Sequence, residues 1–418
     1  MSTAPATVDG PIITADGIPL KVSLQKSLRQ AKLRAVLLVA PPLAFLIFLF
    51  VIPIGNMLTR SVDDTLINQV LPKTFIAFEA WDKKEPTEAL FVAMYEDLSA
   101  AERIQIGKSS VRMNYAKPGW RSLIKRTARK LKTMDAPYRE AFLKADDRWT
   151  DREFWLSLGI MKDETTWGYY WNAVDRTYDF DKNVIHVDEN RKVYNLLWKR
   201  TLMVSLIVTL ACLLLAYPVA YLLATLPMRI SNLLMICVLM PFWTSLLVRI
   251  VAWMIMLQQN GVVNDVLVSS GILDDDNRLS MMYNFNGTII VMTQVLLPFM
   301  ILPIYSVMKT IPPSYMRAAQ NLGATPTLAF IRVYMPQTIP GIGAGCILVF
   351  IVAIGYYITP ELVGGKDGKL IGNMVAYHMQ RSLNWGLAAA MGTILLVLIL
   401  ILYWVYDKII GIDNMKMG

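Results

Sequence analysis

Six long apolar stretches divide this chain, and each is long enough to cross a membrane as a helix. They cover residues 35–58, 197–226, 233–257, 288–308, 339–358 and 387–406. A helix rises about 1.5 Å per residue, so roughly 20 apolar residues cross a hydrocarbon core of about 30 Å. The pattern predicts an all-α integral membrane protein with about six transmembrane helices.

Basic residues precede the first apolar stretch: Lys21, Lys26, Arg29, Lys32 and Arg34. A signal peptide is the alternative interpretation of a basic region followed by an apolar one. The stretch at 35–58 ends without a small-x-small cleavage site, so we expect a retained first span. Residues 1–34 are then a cytoplasmic tail, because basic flanks stay on the cytoplasmic side. Its first 20 or so residues are rich in Pro, Thr, Ala and Gly, which predicts disorder.

Between the first and second apolar stretches, residues 59–195 have the composition of a soluble domain. Apolar residues recur at three- and four-residue spacing in 87–106, 120–134 and 137–143, which predicts helices. We therefore expect a mainly helical extracytoplasmic insertion, followed by a core with five spans at 196–418. The aromatic residues of the insertion would pack its interior or face a partner or the membrane surface: Trp149, Trp155, Trp167, Tyr169, Tyr170 and Trp171.

Composition narrows the function further. The chain has 418 residues, of which 55% are hydrophobic and 17% charged, with a formal net charge of +9. Cytoplasmic Lys and Arg anchors explain this charge better than nucleic-acid binding does. Cys212, Cys237 and Cys346 lie in separate apolar stretches, and His186 and His378 are far apart in the chain. The sequence therefore predicts no disulfide, metal site or catalytic cluster.

A polar segment separates the fourth and fifth apolar stretches. Pro313 suits the start of a helix, and Gly323 suits the left-handed position that ends one. Thr325 and Pro326 are typical of a second helix start, and Pro336 is expected to end that helix. A short helix, a glycine and a second short helix on the inner face would form a docking element.

This segment resembles the EAA loop of the membrane subunits of bacterial ABC importers. The matching positions are Ala318, Ala319, Gly323, Ala324, Phe330 and Pro336, and Arg317 stands where the family usually has Glu. The resemblance implies that residues 311–336 form a coupling loop, in which these seven residues couple the permease to a separate ATPase. Because Arg317 reverses a charge, a salt bridge made by the family's Glu does not carry over.

Two further stretches resemble the polyamine-type subgroup of these permeases. The first is MPFWTSLLVRIVAW, which begins at Met240, and the second is GYYITPELVGG, at 355–365. The similarity runs from about residue 194 to the end and includes the first span. It implies a permease for putrescine or spermidine that pairs with a second permease, two ATPase subunits and a periplasmic substrate-binding protein.

Pro241 removes a backbone hydrogen bond within the third apolar stretch, and such breaks are found where a helix lines a cavity or packs in protein. Phe242, Trp243 and Thr244 beside the break are candidates for the substrate path, because aromatic faces attract ammonium groups. Packing between helices is the alternative role. Arg249, in the same stretch, is either a substrate contact or a structural residue.

A second candidate group lies at the outer end of the fifth span, where Tyr356, Tyr357 and Glu361 surround a proline. A carboxylate there would stabilise a cationic substrate, and Asp265 is a weaker candidate for the same role. Interfacial anchoring is the alternative role of the tyrosines. The predicted spans contain almost no Asp or Glu, which disfavours a carrier coupled to protons or sodium.

Other classes of function remain as alternatives. Gly107, Lys108 and Ser109 resemble the end of a phosphate-binding loop, but Glu102 stands where the first glycine is required. We therefore expect no cofactor in this chain, with ATP and Mg²⁺ bound by the partner ATPase. An importer permease for an amino-acid derivative or a quaternary amine is the main alternative. A channel or membrane-embedded enzyme that works without ATP is less favoured.

Overall fold

The computed structural model describes residues 20–410, and the predictions for 1–19 and 411–418 lie outside these described residues. These residues fall into two compact units, which are divided between Thr59 and Arg60. The first unit is helical: α1 covers Leu20–Leu46, a π-helical turn covers Ile47–Val51, and α2 begins at Ile52 and ends at Arg60. Its apolar part, Ser27–Arg60, is longer than the predicted span at 35–58.

The inserted segment after this first span is mainly helical, as predicted. Its helices are α3 (Thr65–Val70), α4 (Pro72–Glu79), α5 (Glu88–Ala100), α6 (Arg103–Ala116), α7 (Trp120–Lys130), α8 (Tyr138–Ala145), α9 (Arg152–Leu156) and α10 (Gly168–Asn172). The strands β1 (Arg176–Tyr178) and β2 (Val184–His186) pair in antiparallel register, with Thr177 opposite Ile185. This short hairpin was not predicted.

Aromatic rings fill the core of the insertion. Trp120, Trp149 and Trp155 are fully buried together with Phe91 and Phe142. The rings meet edge to face or tilted, with centroids 5.0 Å apart for Phe91 and Trp155 and 5.7 Å for Trp120 and Trp149. Such contacts add about 0.5–1.5 kcal/mol each beyond burial. The core role considered for Trp149 and Trp155 is confirmed, whereas the Trp167 side chain is 63% exposed.

The remaining helices form the membrane part. They are α11 (Tyr194–Thr225), α12 (Met228–Leu239), α13 (Leu246–Leu257), α14 (Val262–Ser269), α15 (Phe285–Thr310), α16 (Pro313–Asn321), α17 (Pro326–Ala329), α18 (Met335–Gln337), α19 (Ile339–Ile354), α20 (Ile358–Val363), α21 (Ile371–Gln380) and α22 (Trp385–Ile410). Within residues 20–410, five helices are long and apolar enough to span a membrane. A sixth span results if Pro326–Gln337 and Ile339–Ile354, which meet at 59°, are counted together.

Helices α11, α15 and α19 pack against one another at the centre of this membrane part. Two glycines of α19 let its backbone approach α15 closely. A Cβ at Gly345 would lie 2.7 Å from the sulfur of Met300, and one at Gly341 would lie 2.9 Å from Cβ of Val307. Small residues at such positions allow the close packing that holds helices together in lipid.

The predicted third span, 233–257, is two helices instead of one. Helix α12 ends at Leu239, a 3₁₀ turn covers Met240–Trp243, and α13 begins at Leu246 after an extended residue, Thr244. Pro241 is the cause, because it cannot donate the hydrogen bond that would continue the helix. The break expected at Pro241 is therefore confirmed, and it divides the span.

The insertion is anchored to the N-terminal ends of α11 and α22, the second and last spans. The Asp175 carboxylate accepts hydrogen bonds from the backbone N–H groups of Val193, Tyr194 and Asn195, at 3.0, 3.0 and 2.7 Å. An anion at a helix N-terminus satisfies free donors and complements the helix dipole. Tyr169 packs so closely on α22 that a Cβ at Gly386 would lie 2.4 Å from its ring.

Candidate functional site: the coupling loop and the outer cluster

The segment between α15 and α19 contains the predicted helix–glycine–helix. Helix α16 ends at Asn321, and Gly323 has a positive φ of +89°. The Gly323 N–H donates to the Gln320 carbonyl at 2.9 Å, and the Ala324 N–H donates to the Ala319 carbonyl at 3.1 Å. These two bonds form a Schellman motif, which fixes the direction of the chain after the helix. The conformation predicted for Gly323 is confirmed.

The second half of the loop differs from the prediction in one respect. As expected, the Thr325 hydroxyl accepts the Leu328 N–H at 3.3 Å and so caps α17. Pro336 does not end this helix, since helical backbone continues to Gln337. A π turn at Phe330–Tyr334 precedes Pro336, and the Met335 N–H bonds five residues back to the Phe330 carbonyl. The altered hydrogen-bond pattern lets the chain accommodate a proline without a break.

An aromatic cluster attaches the loop to the second span. The ring of Phe330 lies 5.1 Å from Tyr221 and 6.3 Å from Tyr217, both on α11, and stacks on Tyr334 at 5.6 Å. The Tyr217 hydroxyl lies 3.3 Å from the hydroxyl of Thr338. Sequence reasoning identified Phe330 but missed its partners. Their spacing of four residues on α11 was the available signal, because it places both rings on one helix face.

Several side chains of the loop are exposed to solvent. Arg317 and Ala318 are exposed, Ala319 and Ala324 are half-buried, and the side chain of Leu322 is 90% exposed. Within residues 20–410, the Arg317 guanidinium has no ion-pair partner. An exposed apolar side chain of this size, on the same loop as this free cation, is suited to contact with another protein.

At the opposite end of α19, the structure brings Tyr357 and Glu361 together with two residues from α21 and the loop before it. The Asn373 amide donates to the Tyr357 carbonyl at 2.9 Å and to the Glu361 carboxylate at 2.8 Å. The Lys369 ammonium lies 3.4 Å from the other carboxylate oxygen of Glu361. We call these four residues the outer cluster, because this end of the fifth span is expected to face outward. Sequence reasoning missed Asn373 as a site residue, and the pairing of Glu361 with Lys369 could not be read from spacing.

The neighbouring Tyr356 is half-buried, and the Tyr357 side chain is 40% exposed. Helix α21 begins directly beneath them, because Gly372 has no side chain: a Cβ there would lie 3.1 Å from the Tyr356 carbonyl oxygen. This close approach positions Asn373 within reach of Glu361. The arrangement presents a carboxylate and an aromatic ring to solvent, which is a suitable combination for an ammonium group.

The other candidate path residues lie at the break between α12 and α13. Phe242 packs edge to face on Phe299 of α15, with centroids 5.2 Å apart. The Trp243 side chain is 74% exposed, and the Thr244 hydroxyl donates to the Pro241 carbonyl at 3.0 Å. Among the described residues, no hydrogen bond, ion pair or ring contact joins this group to the outer cluster.

Two charged candidates have contrasting surroundings. Asp265 is engaged by Arg278, with 2.7 Å between the charged atoms, so it is less available to a substrate than the sequence suggested. Arg249 on α13 is half-buried, and its Nε atom is buried without a hydrogen-bond partner within the described part of the chain.

Among residues 20–410, no group of three or more His, Cys, Asp or Glu side chains could hold a metal ion.

A buried histidine lies where the insertion meets the membrane part. The His378 ring nitrogens lie 2.9 Å from the Tyr194 hydroxyl and 2.8 Å from the Ser382 hydroxyl. Tyr115, on α6 of the insertion, donates to the Ser382 carbonyl at 2.7 Å. Burial lowers the pKa of His378 to about 4, so the ring is neutral at physiological pH.

Comparison with known proteins identifies relatives of this membrane part. A family model described as a binding-protein-dependent transport system inner membrane component matches residues 214–410. The spermidine/putrescine transport system permease protein PotB of Escherichia coli K12 is 36% identical over 239 residues, which cover 56% of this chain and 86% of that protein. PotB of Haemophilus influenzae is 34% identical over 236 residues, covering 56% of this chain and 82% of its own length.

A further relative is the inner membrane ABC transporter permease protein YdcU of Escherichia coli K12, which is 34% identical over 223 residues, with coverage of 51% and 70%. A solved structure of a bacterial alginate ABC transporter with its periplasmic protein matches 54% of this chain and 81% of its own, at 18% identity and a TM-score of 0.44. A second, of a bacterial ABC transporter that imports alginate, matches 69% and 99%, at 17% identity and a TM-score of 0.47.

Proposed function

This chain belongs to the family of binding-protein-dependent transport system inner membrane components, and on that basis we propose that it is the permease subunit of an ATP-driven polyamine importer. It is a multi-pass protein of the inner membrane and not an enzyme, and ATP hydrolysis takes place in a separate subunit. The observation that carries the choice of putrescine and spermidine is the 36% identity over 86% of the length of PotB.

In the proposed importer, this chain works with a substrate-binding protein and an ATPase, and it pairs with a second, different permease. Its N- and C-termini face the cytoplasm. ATP and Mg²⁺ bind to the ATPase subunits. The coupling loop carries Arg317, Ala318, Ala319, Gly323, Ala324, Phe330 and Pro336. Movement of the ATPase pair would pass through Phe330 and its aromatic partners to α11, and so tilt the spans.

The outer cluster supplies the proposed contact for the substrate. A polyamine ammonium would displace Lys369 from Glu361, because the internal pair is exposed and therefore weak, at roughly 0–1 kcal/mol. Tyr356 and Tyr357 would add aromatic faces. Phe242, Trp243 and Thr244 would line a later part of the path, at the break in the third span.

The insertion is proposed to help position the substrate-binding protein. Its attachment to α11 through Asp175 and to α22 through Tyr169 supports this role, because a domain fixed to the spans would move with them. We propose that residues 59–195 lie on the extracytoplasmic side, where the binding protein would deliver substrate.

Uptake of labelled spermidine and putrescine, in cells with and without this chain, tests the proposed function. We expect saturable uptake to require the chain and to be inhibited by unlabelled polyamines. Identical uptake in both strains would refute the choice of substrate. Copurification with an ATPase subunit, measured on the same cells, tests the importer architecture separately.

A further inference from the structure

Helix α7 of the insertion has an uninterrupted row of basic side chains along one face. The row consists of Arg121, Lys125, Arg129 and Lys132, spaced by four, four and three residues, so the four side chains share one face of the helix and the turn that follows it. All four are exposed. We call this row the basic ridge.

The ridge cations are free, unlike those on the adjacent face. Arg126 pairs with Asp146 at 3.1 Å, and the Lys130 ammonium lies 3.4 Å from the carbonyls of Lys144 and Ala145. Within residues 20–410, none of the four ridge side chains has an ion-pair partner.

Part of the ridge is unfavourable to its own helix. Like charges four residues apart cost roughly 0.2–0.5 kcal/mol per pair, and Arg121 lies in the first helical turn, where the dipole disfavours a cation, whereas Arg129 lies in the last turn, where the dipole favours one. The opposite face is held firmly, since Trp120, Leu123 and Ile124 are almost fully buried. A rigid helix that retains unfavourable free charges is suited to an electrostatic contact with a partner.

One end of the ridge lies at the junction with the membrane part. Burial raises the pKa of the Tyr115 hydroxyl, and among the smaller effects the nearby charge of Arg121 opposes that rise. The same hydroxyl donates to the carbonyl of Ser382, just before α22, and the exposed Arg381 adjoins that contact. The basic surface therefore begins beside the permease and extends along the insertion.

We propose that the basic ridge is a docking surface for an acidic face of the substrate-binding protein. This inference rests on the proposed function and identifies the part of the insertion that makes the contact. A polyamine is itself a cation, so the ridge would repel free substrate. Its charge complements an anionic protein surface.

The exposed side chains of α7 favour a protein over the membrane surface as the partner. Helices that lie in a membrane interface present exposed aromatic or aliphatic side chains beside their Lys and Arg. The exposed positions of α7 are all polar: Arg121, Ser122, Lys125, Arg126, Arg129 and Lys130. The ridge therefore lacks the apolar component that insertion among lipids requires.

Charge reversal in the full transporter complex tests this assignment. We compare the double variant Lys125→Glu with Arg129→Glu to a control double variant, Lys84→Glu with Arg191→Glu, which changes net charge equally at exposed positions elsewhere on the insertion. The probe is the binding protein that supports polyamine uptake through this chain. We expect its Kd at low salt to rise at least about tenfold for the ridge variant, with a loss of most of the salt dependence. The control should stay within about twofold of wild type, since its two positions lie outside the proposed contact.

Equal binding-protein affinity in the ridge variant and the control would overturn the assignment. In a different outcome, the ridge variant keeps its affinity for the binding protein and loses the preference for vesicles that contain phosphatidylglycerol over vesicles of phosphatidylethanolamine alone. That result would assign the ridge to the membrane surface. Failure of the wild-type complex to bind any polyamine-binding protein would refute the proposed function itself. Thermal unfolding of both variants shows whether each one folds.

Discussion

Replacement of Gly323 changes the geometry of the coupling loop without disturbing any contact. A Cβ added at this position meets no atom within 4 Å, so the cost of a side chain comes from the backbone alone. With φ at +89°, an L-residue other than Gly is disfavoured by about 1–2 kcal/mol. Asn tolerates this region better than Ala, and a β-branched residue tolerates it least.

ATP-driven uptake is therefore expected to decrease in the order Gly, Asn, Ala, Val at position 323. A cost of about 1 kcal/mol lowers the ratio of native to alternative loop conformations roughly fivefold, and about 2 kcal/mol lowers it roughly thirtyfold. We expect uptake by Gly323→Ala and Gly323→Val to fall by up to about these factors if the native loop limits coupling. Membrane insertion should not change, because an added side chain at this exposed position meets no other part of the chain.

A matched control is available at Gly271, which also has a positive φ, of +73°, and no atom within 4 Å of an added Cβ. Gly271→Val introduces comparable backbone strain outside the coupling loop. The assay measures uptake and ATP hydrolysis on the same reconstituted complex. If Gly323→Val transports as well as Gly271→Val, the loop conformation does not limit coupling and the reasoning is wrong.

Three further predictions follow from the outer cluster and the junction. Glu361→Gln should raise the apparent KM for spermidine about tenfold, or about 1.4 kcal/mol, whereas Lys369→Met should not raise it, because it frees the carboxylate. Gly386→Ala should destabilise the docking of Tyr169 by about 1–3 kcal/mol, seen as a lower melting temperature in detergent. The pKa of His378 is lowered to about 4 in the folded chain, so as pH falls below 6.5 the unfolded chain takes up a proton at this histidine before the folded chain does. Stability should therefore be complete above that pH and fall by at most about 3 kcal/mol as pH drops to about 4, and His378→Gln should remove this part of the pH dependence.

Each of these predictions can fail clearly. A rise in KM for Lys369→Met equal to that for Glu361→Gln would mean that the pair is structural. Gly107→Ala is the control for Gly386, since an added Cβ at Gly107 meets nothing within 4 Å, and equal melting temperatures for the two variants would contradict the close packing on Tyr169. An unchanged acid profile for His378→Gln would exclude that histidine as the titrating group.

Local chemistry made the coupling loop predictable from the sequence. Gly323 and Thr325 act through their own backbone and side-chain preferences, so their roles are visible without knowledge of the fold. The apolar spans were predictable because length and hydropathy decide whether a helix crosses a membrane. Pro336 was mispredicted because the π turn at Phe330–Tyr334, which accommodates the proline, has no local signal in the sequence.

Contacts between distant parts of the chain could not be predicted. The Asp175 carboxylate caps a helix that begins 19 residues later, and nothing in the local pattern identifies it as a cap. Lys369 and Glu361 lie together where α21 approaches the chain after α19 closely. Gly372 is the one sequence signal of that approach. The contact of Tyr169 with Gly386 joins the insertion to the last span across more than half of the chain.

ATP-dependent accumulation of labelled spermidine in proteoliposomes is the most direct test of the central claim. The vesicles contain this chain with its partner permease and ATPase, and the binding protein is supplied on the outer face of the permease. The account predicts accumulation that requires ATP, the binding protein and this chain together. Accumulation without ATP, or none in the complete system when another solute is accumulated, would contradict it.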